Sequence, residues 1–82
     1  MSFTYRANAT ATIIAGKPRR AGASLASKNY GNTSKDTGMV VWGEVKGQDF
    51  GAGPRWFFGP QYIGSWRVVY IPLVDLKNRV GI

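Results

Sequence analysis

The chain has 82 residues, 44% of them hydrophobic and 13% aromatic, with a net charge of +7 and a pI near 10.3. A chain this short builds one small core and buries about 60–65% of its unfolded surface, so one domain over residues 1–82 is expected, with residues 1–8 as an extension or extra strand. Cysteine and histidine are both absent, which removes thiolate nucleophiles, disulfides, Cys/His zinc sites and Ser-His-Asp triads by inventory.

The remaining acids, Asp36, Glu44, Asp49 and Asp75, each stand alone among turn or strand residues, with no partner at a spacing that acid-base chemistry needs. No catalysis, metal or cofactor is expected. The longest apolar run falls far short of the roughly 20 residues that span a bilayer, and the N-terminus lacks the cationic-then-apolar order of a signal peptide. A membrane span is therefore not expected. The positive charge implies attraction to polyanions: nucleic acid, anionic membrane or the teichoic acids of a cell wall.

In chain order, Phe3-Thr4-Tyr5-Arg6 and Ala9 to Ile14 alternate small polar and apolar residues without helical period, which predicts one or two strands ending at Gly16. Asn8-Ala9-Thr10 matches a glycosylation sequon, but three-residue matches arise often by chance, and its place in a strand edge is the preferred reading. Lys17 to Ser24 is a basic turn, in which Pro18 cuts the strand and Gly22 permits a positive φ. Leu25 to Thr37 is rich in Ser, Asn, Gly and Lys, with Tyr30 its one aromatic. Its length and place predict a long ordered loop folded over a small barrel.

Gly38 to Gly59 holds the strongest pattern. Met39-Val40-Val41-Trp42, extended by Val45, and Arg55-Trp56-Phe57-Phe58 flank a turn-forming stretch at 48–54, which predicts an antiparallel hairpin. Gly43, Gly47 and Gly51 predict a kinked or bulged strand in a strongly curved sheet. A second loop is expected over 59–65, then a strand from Trp66 to Ile71. Pro72 ends that strand and starts one helical turn at Leu73 to Leu76, before a short closing strand over 77–82. The fold class expected is all-β, a small barrel of about five to seven strands with one short helical turn near the C-terminus.

This order of parts resembles the bacterial SH3 domains of peptidoglycan hydrolases and phage endolysins over roughly residues 9 to 80. The resemblance rests on Ile13 to Ser24 as a strand running into an arginine-bearing turn, and on Gly38, Val40-Val41, Val45-Lys46-Gly47 and Trp56-Phe57-Phe58 as the central hairpin. Trp66 to Val80 matches the last strand, short turn and closing strand. The last strand begins Trp66-Arg67-Val68-Val69-Tyr70 where that family carries glycine-tyrosine-valine, and the loop at 48–54 is longer than in many members. The resemblance implies an SH3-like barrel and a non-catalytic module that binds bacterial cell wall or peptidoglycan, acting outside the cell or on the wall after export by other means or phage lysis.

In such a barrel the ligand lies between the long loop and the hairpin loops, where aromatic faces give contact and a few polar groups set orientation. Candidate ligand-binding residues are therefore Arg19, Arg20, Tyr30, Phe50, Trp56, Tyr62 and Trp66. Trp42, Trp56 and Phe58 lie inside strand patterns, and for these three core packing is favoured over ligand contact. Arg19 and Arg20 are suited to a carboxylate or phosphate, although paired basic residues in a turn are more often simply solvated. Two other partner classes compete. One is single-stranded nucleic acid, by stacking and phosphate contacts, against which stands the scatter of basic residues along the chain. The other is a protein partner of a phage structural or host-directed domain.

Overall fold

A computed structural model describes residues 3–82, with side chains from Asn8 onward. Seven antiparallel strands form a single sheet: β1 (Phe3–Ile13), β2 (Pro18–Arg20), β3 (Asn29–Asn32), β4 (Thr37–Lys46), β5 (Arg55–Tyr62), β6 (Trp66–Pro72) and β7 (Leu76–Val80). The one helical element among the described residues is a 3-10 turn, Leu73–Asp75, which follows Pro72. The strands run β3-β2-β6-β5-β4-β1-β7 across the sheet, so β4, β5 and β6 form a central meander. The small all-β, barrel-like fold expected from the strand and turn pattern is the one observed.

The strand signal in Met39 to Val45 is a clean period of two. Met39, Val41, Gly43 and Val45 are buried, whereas Val40, Trp42 and Lys46 face solvent. Across β1 the same alternation buries Ala9, Ala11 and Ile13. These join Met39, Val41, Phe57, Val69, Ile71 and Leu76 in one core that draws on five strands, which requires the sheet to curl around its own inner face. Gly59 is where that curl brings β5 against β4. A Cβ there would collide with the carbonyl oxygen of Val40 and lie 3.1 Å from the end of Met39, so no side chain fits.

Trp56 and Phe57 are adjacent and both wholly buried. Successive strand residues point to opposite faces, so β5 is covered on both sides at this point. Phe57 packs in the main core opposite Ile71, whereas Trp56 lies on the other face of β5, paired with buried Val45 and with Pro72 and outside that core. Two loops cover it there. The Trp56 indole N–H donates to the Gln48 carbonyl at 2.9 Å, Gln48 N–H donates to Ala23 O at 2.9 Å, and the Phe50 ring meets Trp56 edge-on at 6.1 Å. Gly47 leaves the space that Ala23 and the Trp56 ring occupy.

Three expectations need correction. Pro18 opens a short strand instead of closing one, because a proline at the first strand position leaves no ladder donor missing. The stretch from Leu25 to Thr37 contains β3, paired with β2, and is pinned below by buried Thr33, whose hydroxyl donates to Ile14 O at 2.9 Å. β5 continues through Pro60 to Tyr62, so the expected loop at 59–65 shrinks to Ile63, Gly64 and Ser65. Pro60 is tolerated because β5 pairs with β4 only up to Phe58 and thereafter bonds to β6 alone. Register breaks occur between Tyr5 and Ala9 of β1, opposite Trp42 of β4 and where Asn8 takes a φ of 59°, and also in the pairing of β1 with β7 and of β2 with β3.

Candidate functional site

Beyond Trp56 the outer face of the β5–β6 hairpin stays apolar. The register pairs Phe58 with Tyr70, Pro60 with Val68 and Tyr62 with Trp66, all on the face opposite Phe57, Val69 and Ile71. The result is a ladder of three rungs in which no residue is charged. The Phe58 and Tyr70 rings lie 5.5 Å apart with a 35° tilt, and Tyr62 and Trp66 meet edge to face at 5.5 Å and 79°. Ring pairs of this kind add about 0.5–1.5 kcal/mol beyond area burial. The loop end of the ladder is covered and the turn end is open, with Tyr62 63% and Trp66 72% exposed.

Locally the sequence builds this for a simple reason. Residues 58, 60, 62 and 66, 68, 70 alternate with the core-facing Phe57, Gly59, Gln61, Val69 and Ile71, and Gly64 at φ 74° closes the turn between them. An aromatic pair beside a turn does help hold hairpin register. Register alone does not need two of the largest side chains left mostly in water, as Tyr62 and Trp66 are.

The sequence candidates separate into three places. Phe50, Trp56, Tyr62 and Trp66 belong to the ladder or its covered end. Trp56, however, has no open ring face, so it closes the covered end of the ladder and offers no contact surface itself. Arg19 and Arg20 lie on β2 and brace its neighbours: Arg19 Nε donates to Gly31 O at 3.0 Å and an Arg20 guanidinium N–H to Ser27 O at 3.1 Å. Tyr30 is on β3, its ring half-buried against the core, with the Arg67 guanidinium 4.8 Å and the Lys28 ammonium 5.6 Å from its centre. Trp66 and Arg67 are consecutive in β6, so Tyr30 lies on the side of that strand away from the ladder.

Sequence reasoning missed Phe58, Pro60, Val68 and Tyr70 as a connected surface, and Lys28 and Arg67 as neighbours of Tyr30. The period-two apolar series at 58, 60, 62 and 66, 68, 70 was the signal for the first. Pro60 concealed it by reading as loop. Nothing in the spacing of Lys28, Tyr30 and Arg67 signals their meeting, which the β2–β3 and β2–β6 pairings bring about.

The four acidic side chains each have a structural task. Glu44 holds Arg55 through two bonds at 2.7 and 3.0 Å, keeping the guanidinium firmly protonated. Asp49 accepts from Gly51 and Gly53 N–H and orders the 48–54 loop. Asp36 pairs with Lys77 and accepts from Ala15 N–H, and these bonds hold its carboxyl below the ordinary range. Burial pushes Asp75 up, partly offset by Lys17 at 3.8 Å and by Arg20. No cluster of three or more acidic residues able to hold a metal occurs among the described residues, and no helix there is long and apolar enough to cross a membrane. Comparison of the chain with family models, curated proteins and solved structures finds no match.

Proposed function

We propose that this chain is a non-catalytic module that binds the bacterial cell wall, with the open end of the β5–β6 ladder as its contact surface. The observation that carries the reading is the Tyr62–Trp66 pair, two large rings held in fixed geometry by strand pairing and left exposed. Rigid aromatic side chains give contact area with little ordering cost on binding, and their N–H and O–H groups can meet the hydroxyls and amides of a wall polymer. The resemblance of the strand order to wall-binding SH3 domains supports the same partner. The net charge of +7 adds long-range attraction to walls rich in anionic polymer.

The ladder carries no cation on its rungs, which weighs against a single nucleic-acid strand, since such a strand needs its phosphates held beside each stacked base. The test is retention on insoluble cell walls from several bacteria, run beside immobilised single-stranded DNA at matched ionic strength. Wall retention that Trp66→Ala and Tyr62→Ala each weaken about tenfold or more is the expected result. Retention by DNA and by no wall would replace this reading with nucleic-acid binding, and retention by neither would leave a protein as the partner.

A further inference from the structure

On the other side of β6, Lys28 and Arg67 both approach the ring of Tyr30, at 5.6 and 4.8 Å from its centre. A ring attracts a cation through its face, but two cations held on one ring repel each other. A carboxylate beside them would offset that repulsion. Here Asp36 is paired with Lys77, Glu44 with Arg55 and Asp75 with Lys17, while Asp49 caps its own loop, so no carboxylate meets Lys28 or Arg67 among the described residues. The neighbouring strands do not supply one either, since β2 presents Arg19 and Arg20.

The ring itself is well anchored. Tyr30 is half-buried against the core, and β3 is tied down on both sides of it by the Asn29 side chain, which accepts from Gly31 N–H at 2.9 Å and donates to the Asn32 side chain at 2.7 Å. Lys28 and Arg67 are both exposed, so their donors reach solvent from a fixed platform.

We infer that Lys28 and Arg67, spread on the Tyr30 ring, form a binding site for a phosphate group. A guanidinium presents two parallel N–H donors that match two phosphate oxygens, and an ammonium can take a third. Two uncompensated positive charges match a phosphate monoester, which carries about −1.5 to −2 at pH 7, better than they match a singly charged carboxylate. The site and the ladder lie on opposite sides of β6, so a strand of nucleic acid stacked on the ladder does not bring its phosphates here. The inference therefore stands apart from the wall-binding reading and does not rest on it.

The experiment is titration of the isotopically labelled full chain with inorganic phosphate, and separately with acetate, at constant ionic strength, followed by the amide and arginine side-chain N–H signals. Phosphate should give saturable shifts confined to Lys28, Tyr30, Arg67 and their neighbours, and should bind more tightly as the pH rises through neutrality, where inorganic phosphate loses its second proton. Lys28→Gln and Arg67→Gln, both at exposed positions, should each weaken that binding about tenfold, while Arg79→Gln leaves it unchanged. Shifts that grow linearly without saturation, equal binding of acetate, or equal responses at Lys46 and Arg79 would overturn the site. Binding of a single-stranded oligonucleotide at these residues without any binding of phosphate would overturn it too. Wall retention by Arg67→Gln measures the ladder alone, so failure of either proposal is seen independently of the other.

Discussion

At the residue scale, the two most constrained positions are Gly59 and Asp75. Gly59 stands where β5 crosses the Val40 carbonyl, a rigid backbone atom that cannot rotate away. Gly59→Ala is expected to lower stability by about 3 kcal/mol, in the range of overpacked core substitutions, read as a reduced urea midpoint with the slope unchanged. Asp75 is the opposite case, a carboxyl that burial keeps protonated to higher pH than in the unfolded chain. The folded state therefore binds the proton more tightly. Its contribution is fully present below the unfolded pKa of about 4 and is lost as the pH rises through the raised folded value. Asp36, held low by Lys77, contributes above that pKa and loses its contribution as the pH falls through the lowered folded value. Asp75→Asn should flatten the decline in urea midpoint on raising the pH from about 4 without affecting the acid-side loss, and an unchanged profile would show that Asp75 is not its source.

At the scale of elements, Trp56 and Trp66 share one face of one hairpin and have opposite consequences. Trp56 closes the loop end: its indole donates to Gln48, Gln48 donates to Ala23, and the two loops lock over it. Trp56→Phe keeps most of the packing and removes the donor, leaving a carbonyl without its partner, at an expected cost of about 1–3 kcal/mol. Hydrogen exchange should then speed up at Gly47 and Gln48, whose amides bond to Pro54 and Ala23, before it does in the β1–β4 ladder. Trp66 lies at the open end with 72% of its surface in water. Trp66→Ala should cost only about 0.5–1.5 kcal/mol, the worth of the ring pair with Tyr62, while removing most wall retention. A large loss of stability in that variant would make the pair a hairpin clamp instead of a contact surface.

For the whole molecule, the relevant quantity is how the positive charge is distributed. Arg55, Lys77 and Lys17 face carboxylates, Arg19 and Arg20 brace β2, and Lys28 and Arg67 gather on Tyr30. Much of the basic inventory is thus built into the fold. Exposed charges are screened over about 10 Å at 0.1 M salt, whereas aromatic contact is not. Wall retention should therefore fall moderately between about 0.05 and 0.5 M salt and then level off at a residue that depends on Trp66; a fall to zero would assign the binding to charge alone.

The amino-acid sequence by itself determined the class of the fold and the shape of its inventory. Period-two runs at 39–45 and 66–71, breakers at 16, 48–54 and 64, and the absence of any 3.6-residue stripe allow only strands, and the lack of Cys and His removes whole kinds of chemistry. It also placed Tyr62 and Trp66 beside a turn. The alternation signal is local, so it reports that two faces exist and not which elements cover them. Tertiary structure decided that Trp56 is sealed beneath two loops while Trp66 is open, although both sit in similar aromatic strand runs. It also decided that β5 runs on through Pro60, because only there does the strand lack a second hydrogen-bonded neighbour. The meeting of Lys28, Tyr30 and Arg67 is the clearest case: 37 residues separate Tyr30 from Arg67 in the chain, and only the pairing of β2 with both β3 and β6 closes that distance.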